Sequence, residues 1–299
     1  MRSTRDLGLS GLAFVVAGAL LGQQPAPTAT PAAPDDPVLV GAGDIGSCDS
    51  DGDEKTAALL DTIPGTVFTL GDHAYPNGTR AEFANCYEPT WGRHRARTRP
   101  VAGNHDYRTR GASGYFDYFG AAAGDRDKGY YSYDLGRWHV VVINSNCRQV
   151  GGCHEGSPQE NWLRADLAAH SVPCTVAMWH HPRFSSAEHG NDPTMRDIWK
   201  TLQGKGVDVV LAGHDHDYER FAPQGADGNA DPERGIRSFV VGTGGRSFYS
   251  FQKIQPNSVI RNTETAGVLK LTLHPDSYDW RFIPVAGATF TDAGTAKCR

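Results

Sequence analysis

The sequence predicts an α/β domain, and three observations carry that reading. Short apolar, β-branched runs recur along the chain, several end in Gly, Asn or His, and helix-start signals fall between them. The runs are VLVGAG from Val38, TVFTLG from Thr66, RPVAGN from Arg99, WHVVVIN from Trp138, CTVAMWHH from Cys174 and VDVVLAGH from Val207. Consecutive apolar positions of this kind suit strands buried on both faces, as in a sheet covered by helices. Between them, Ser157-Pro158-Gln159-Glu160 reads as a capping box with Pro at the first helical position, and Asp192-Pro193 opens a second helix. Weaker helical signals lie over Asp53 to Asp61 and Thr79 to Tyr87. Toward the end, RSFVVG, GVLKLTLH and SYDWRFIP alternate in character, so the C-terminal part is expected to be β-rich.

With 299 residues and 39% hydrophobic content, the chain can bury a substantial core. The formal charge of -5 is spread along the sequence, and without a basic tract a stable nucleic-acid partner is not expected. Arg2 and Arg5 precede an uncharged, largely apolar run from Leu7 to Leu21, the layout of a secretory signal over residues 1–22 and too short for a span of ~20 apolar residues. An uncleaved anchor is the competing reading. Residues 23–37 are Pro- and Ala-rich and read as an extended spacer, leaving residues 38–299 as one catalytic domain in a secreted or otherwise extracytoplasmic product with no membrane contact after cleavage. Six cysteines, with no C-x-x-C pair, favour disulfides. Cys147 and Cys153 can close a short loop, and the other pairings stay open.

The polar residues at the strand ends carry the chemistry. The first run leads to Asp44, the second to Asp72 and Tyr75, the third to Asn104, His105 and Asp106, and the later ones to His180, then His214 and His216. Ligands of α/β sheets gather outside the carboxyl ends of the strands. Carboxylates, a carboxamide, a phenol and imidazoles make a mixed oxygen and nitrogen set, too rich for one ion and unlike the all-oxygen set of Ca²⁺. Two ions sharing a carboxylate would use it fully.

In this order the motifs D, GD, GNH, H and GHxH resemble those of the calcineurin-like metallophosphoesterase superfamily. Gly46 after Asp44, together with Tyr75 in GD-x-x-Y, resembles its purple acid phosphatase branch. The resemblance implies a four-layer α/β/β/α sandwich of two mixed sheets. It also implies a dinuclear centre of Fe(III) and a divalent ion, Zn, Mn or Fe, with Asp44, Tyr75 and His216 on the iron, Asp72 bridging, and Asn104, His180 and His214 on the second ion. His105 and His189 look like the family's substrate-side histidines. The implied activity is hydrolysis of a small phosphate monoester by metal-bound hydroxide, with a diesterase of the same superfamily or a non-catalytic metal-binding module as rivals. The β domain that precedes the catalytic domain of the plant enzymes is not expected ahead of Val38, and of their two adjacent histidines after H-x-P only His189 is present.

Simpler roles suit the remaining candidates. His73 and His181 read as core or supporting residues, and His94, His139, His154, His170 and His274 as ordinary surface or hydrogen-bonded histidines. Arg183 and Arg246 are weaker candidates for meeting phosphate, and Gly242 to Gly245 is first a strand-end turn. Neither substrate identity nor oligomeric state is legible.

Overall fold

The computed structural model describes residue 1 and residues 36–299. The expected signal segment and nearly all of the spacer lie outside the described residues. Along the chain run β1 (Val38–Ala42), α1 (Gly52–Thr62), β2 (Thr66–Thr69), α2 (Arg80–Glu82), β3 (Thr98–Pro100), α3 (Ser113–Phe119), β4 (Tyr131–Leu135), β5 (Trp138–Val142), α4 (Pro158–Ala169), β6 (Cys174–Met178), α5 (Arg196–Gly204) and β7 (Val209–Ala212). There follow β8 (Tyr218–Phe221), β9 (Arg237–Val241), β10 (Ser258–Asn262), β11 (Gly267–Leu273), β12 (Ser277–Pro284) and β13 (Ala293–Lys297).

The strands form two mixed sheets, in the orders β13-β12-β11-β1-β2-β3 and β10-β8-β9-β7-β6-β5-β4. Within the first, β1, β2 and β3 are parallel; within the second, β5, β6, β7 and β9 are parallel. The consecutive apolar residues of β5, β6 and β7 are buried on both faces. Val140, Val142, Val176, Met178, Val209 and Leu211 point into the large core shared with the first sheet. Their neighbours Val141, Ala177 and Val210 pack with Leu163 of α4 and with Ile198, Trp199 and Leu202 of α5. Two-residue periodicity thus divides each run between two apolar layers, which is why residues 140–142, 176–178 and 209–212 are apolar without interruption.

Helix starts follow local chemistry. The Ser157 hydroxyl accepts from the Glu160 N–H and Pro158 opens α4, but the expected capping box is only half formed, because the Glu160 carboxylate turns to the Gly156 N–H and Thr201 Oγ1. Both halves do form at Thr79 and Glu82, where α2 continues as one wider π-helical turn over Phe83–Tyr87. Asp192-Pro193 opens a 3₁₀ turn that leads into α5. Disulfides join Cys48 to Cys86, Cys147 to Cys153 and Cys174 to Cys298. Among the described residues no helix is long and apolar enough to cross a membrane.

Candidate metal centre

The parallel strands of both sheets end at one seam. The turns after β1, β2 and β3 carry Asp44, Asp72 and Asn104, and those after β6 and β7 carry His180, His214 and His216. Direct bonds cross the seam: the Gly43 N–H donates to Val241 O at 2.8 Å, the His214 N–H to Asp44 Oδ2 at 2.8 Å, and His180 Nδ1 to Leu70 O at 2.6 Å. At these turns the backbone is held left-handed at three non-glycine residues, Asp44 (φ 61°), Asp72 (φ 53°) and His214 (φ 72°). Each such residue costs about 1–2 kcal/mol, and concentrating them where polar side chains converge marks a functional site. The motif glycines have a packing reason. A Cβ on Gly103 would fall 2.1 Å from Asp72 Oδ1, and one on Gly71, itself at φ 90°, would fall 2.5 Å from His180 Nδ1.

Seven side chains meet here in two groups. In the first, Tyr75 Oη lies 3.0 Å from Asp44 Oδ1, 3.1 Å from Asp72 Oδ2 and 3.1 Å from His216 Nε2. In the second, His180 Nε2 lies 2.9 Å from Asn104 Oδ1, 3.2 Å from His214 Nδ1 and 3.4 Å from Asp72 Oδ2. Asp72 belongs to both groups. The structure therefore brings all seven sequence-derived candidates into one cluster, and a donor set of this chemistry would suit a pair of cations sharing Asp72.

Two further observations support the fit. His180 and His216 donate Nδ1–H to the carbonyls of Leu70 and Ser247, each at 2.6 Å, which leaves the Nε2 lone pair facing the cluster; metal-ligating histidines are oriented in this manner. The charge balance is also that of a site built around positive charge. Burial and the carboxylates of Asp44 and Asp72 push the Tyr75 phenol far above its ordinary value. Burial lowers His180, but Asp72 outweighs it and lifts the imidazole to about 9, the pull of a carboxylate on positive charge at this position. For Asp72, burial favours the neutral form, and His180 and His105 overcome it to hold the carboxyl below the usual range. His214 is pushed down by burial and by neighbouring His180 and His181, keeping it a neutral donor.

His105 and His189 stand at the rim. The His105 ring lies 4.5 Å from Tyr75, with Nδ1 donating to Pro76 O at 2.6 Å and Nε2 3.9 Å from Asp72 Oδ2. The His189 ring lies 4.1 Å from that of His214. Tyr249 stacks on His216 at 4.0 Å, and the Arg246 guanidinium sits 4.9 Å above the Tyr75 ring with Nη1 on Ser47 Oγ. Arg183 is turned away, donating to Ala226 O and lying over Phe184. His181 touches His214 but its Nδ1 is engaged by Ser145 Oγ at 2.8 Å, and burial with neighbouring His180 lowers it to about 3.

Asp106 does not join the cluster of donors. It is fully buried behind them and accepts from the N–H groups of Asp72 (3.1 Å) and Gly103 (2.8 Å) and from His73 Nδ1 (3.0 Å), tying the β2 and β3 turns together. A second cluster, Asp134, His139, Asp166 and His170, lies at β4, β5 and α4. Both His139 nitrogens are bonded to carboxylates, and its ring stacks nearly parallel on His170 at 4.0 Å, so the in-plane lone pairs run side by side rather than converging. That cluster is a structural ion-pair network.

The architecture and its seam define a two-sheet sandwich that presents a candidate cation-binding cluster at the ends of its parallel strands. The pattern of the calcineurin-like phosphoesterase family matches residues 38–218, more than half of the sequence, and the chain belongs to that family. Purple acid phosphatase 21 of Arabidopsis thaliana is 36% identical over 122 residues, an alignment covering 39% of this chain and 26% of that protein. An acid phosphatase of Aspergillus ficuum is 39% identical over 87 residues, 27% of this chain and 14% of that one. The alignments thus span about a quarter or less of these relatives' length. The purple acid phosphatase PPD1 from yellow lupin (Lupinus luteus) seeds superposes with a TM-score of 0.71 at 20% identity over 87% of this chain and 53% of that one, a likeness of fold.

Proposed function

We propose that the chain is an exported, purple-acid-phosphatase-like enzyme that hydrolyses phosphate monoesters with an Fe(III) and divalent ion pair. The observation that carries this reading is the phenol of Tyr75 inside a triangle of Asp44, Asp72 and His216, beside a second group that shares Asp72. A phenolate is a hard anionic donor suited to a ferric ion. Asp44, Tyr75 and His216 would hold the iron, Asn104, His180 and His214 the divalent ion, and Asp72 both. Such a pair, when bound, supplies a water nucleophile of lowered pKa and positive charge against the phosphoryl oxygens.

The chain's own residues do the rest. Asp72, fixed by the His105 N–H on Oδ1 at 2.8 Å, sets the spacing of the two groups. The His105 imidazole faces the rim beside Tyr75 and orients a phosphoryl oxygen, and His189 gives a proton to the departing alkoxide. Export is supported by the three disulfides, which suit an oxidising compartment.

The test is the visible spectrum of the oxidised protein with elemental analysis on the same sample, followed by turnover of a chromogenic monoester and diester. About one iron per chain, a charge-transfer band that vanishes in Tyr75→Phe, and preference for the monoester are expected. A colourless, active protein holding only divalent ions and preferring the diester overturns the monoesterase reading.

A further inference from the structure

We propose that Asp215 is the positioning residue that holds His189 as the proton donor to the leaving group; the proposal rests on the phosphatase reading above. Asp215 lies between His214 and His216, and its carboxylate points out of the donor cluster into the 185–191 loop. The carboxylate is fully buried. Its Oδ1 accepts from both the His189 backbone N–H at 3.0 Å and His189 Nδ1 at 2.9 Å, while Oδ2 accepts from the Ser185 hydroxyl. The Ser185 hydroxyl in turn takes the Ala187 N–H at 3.1 Å, and Ser185 N–H donates to Asn191 Oδ1 at 3.0 Å. Two residues beyond Asp217, Glu219 binds the Ser186 N–H and hydroxyl, so the loop is sewn to β8 and to the metal turn by two acidic side chains.

The consequence is directional. Because the Asp215 carboxylate can only accept here, the proton on Nδ1 is fixed toward it, and the transferable proton is the one on Nε2. One end of the imidazole is anchored in the interior while its side chain is 41% exposed at the rim, 4.1 Å from His214 and 5.2 Å from Tyr249. In the step, an oxygen from water forms its bond to phosphorus while the bond between phosphorus and the ester oxygen breaks, with the electron pair of the broken bond going to the ester oxygen. The ester oxygen takes the Nε2 proton of His189, and the imidazole keeps its Nδ1 proton on an unchanged Asp215 carboxylate. Solvent then returns a proton to Nε2. Such a donor matters most for alkyl esters, whose alkoxide is a poor leaving group, and least for nitrophenyl esters, whose phenolate leaves without help.

The experiment measures kcat/KM for 4-nitrophenyl phosphate and for a simple alkyl phosphate in metal-loaded wild type, Asp215→Asn, His189→Ala and the double variant, with metal content determined on each. In Asp215→Asn and in His189→Ala the alkyl-to-aryl rate ratio should fall by roughly 10²-fold, with metal content unchanged. The double variant should fall no further than His189→Ala alone. Equal losses on both esters, an unfolded or metal-depleted Asp215→Asn, or an additive double variant would make Asp215 a scaffold of the metal turn and overturn the assignment. His189→Ala alters only a rim side chain, so a wild-type ratio there overturns it independently. A wild type that turns over neither ester refutes the phosphatase reading itself, an outcome distinct from an active wild type with an unchanged Asp215→Asn ratio.

Discussion

Replacing Asp106 with alanine should show how strongly the seam depends on a residue that holds no ion. The carboxylate is fully buried and satisfies three backbone N–H groups, those of Asp72, His73 and Gly103, as well as His73 Nδ1, whose ring is bonded on its other side to Thr69 Oγ1 at 2.6 Å. Stranding a buried donor costs about 1–3 kcal/mol, and here four donors lose one and the same acceptor group. The contacts share one carboxylate and are not additive, so Asp106→Ala should lose about 4 kcal/mol, a large part of the ~5–15 kcal/mol typical of a domain. Asp106→Asn keeps an acceptor and should lose about half as much. Because the freed N–H groups belong to the turns that carry Asp72 and Asn104, metal retention should fall with stability. Urea denaturation with the slope checked, alongside metal content after dialysis against a fixed metal concentration, reads both. An alanine variant with full metal content whose stability moves by less than about 1 kcal/mol, the range of an ordinary surface change, would refute the argument.

Asp72→Asn should abolish metal retention and turnover together, because both donor groups share that carboxylate; a fully active variant would end the dinuclear reading. Replacing Cys48 and Cys86 by serine releases a cross-link spanning 38 residues between the turn after Asp44 and the segment after Tyr75, and should cost about 4 kcal/mol by chain entropy, measurable as a shift in urea midpoint. His139 is lowered by burial but raised overall by Asp166 and Asp134. A histidine whose folded value is raised lends stability in full below its unfolded value of about 6.5, and loses it as pH rises through the folded value. The stability gap between wild type and His139→Gln should therefore be larger at pH 5.5 than at pH 9, and an equal gap at both would contradict the ion-pair network.

What the sequence disclosed was what lies close along the chain. Each apolar run ending in a polar residue became a strand with that residue in its terminal turn, and Asp44, Asp72, Asn104, His180 and His214 could be read because strand and turn are consecutive. The division into two sheets follows from distant pairing, such as β1 against β11, and local pattern does not encode it. Short strands such as β4 and β10 lack a continuous apolar run, since part of each is exposed, and gave no signal. Asp106 was read as a metal-competent donor because a carboxylate after GNH looks the same in sequence whether it faces the cluster or the backbone behind it. Asp215 carried a signal that was available: an ionisable residue between two candidate ligand histidines of one turn, His214 and His216, is the one that points away from the donor cluster.

The seam also gives bound metal a mechanical role. Asp44, Asp72 and Asn104 belong to one sheet and His180, His214 and His216 to the other, so an ion pair held by them is a clasp across the sandwich. Its contribution grows with free metal as RT ln(1 + [M]/Kd), about 4 kcal/mol at a thousandfold excess over Kd. Chelation would then be read in amide hydrogen exchange as faster opening of the turns after β1, β2, β6 and β7 together, while the β12–β13 pair, separated from β1 by β11, keeps its protection.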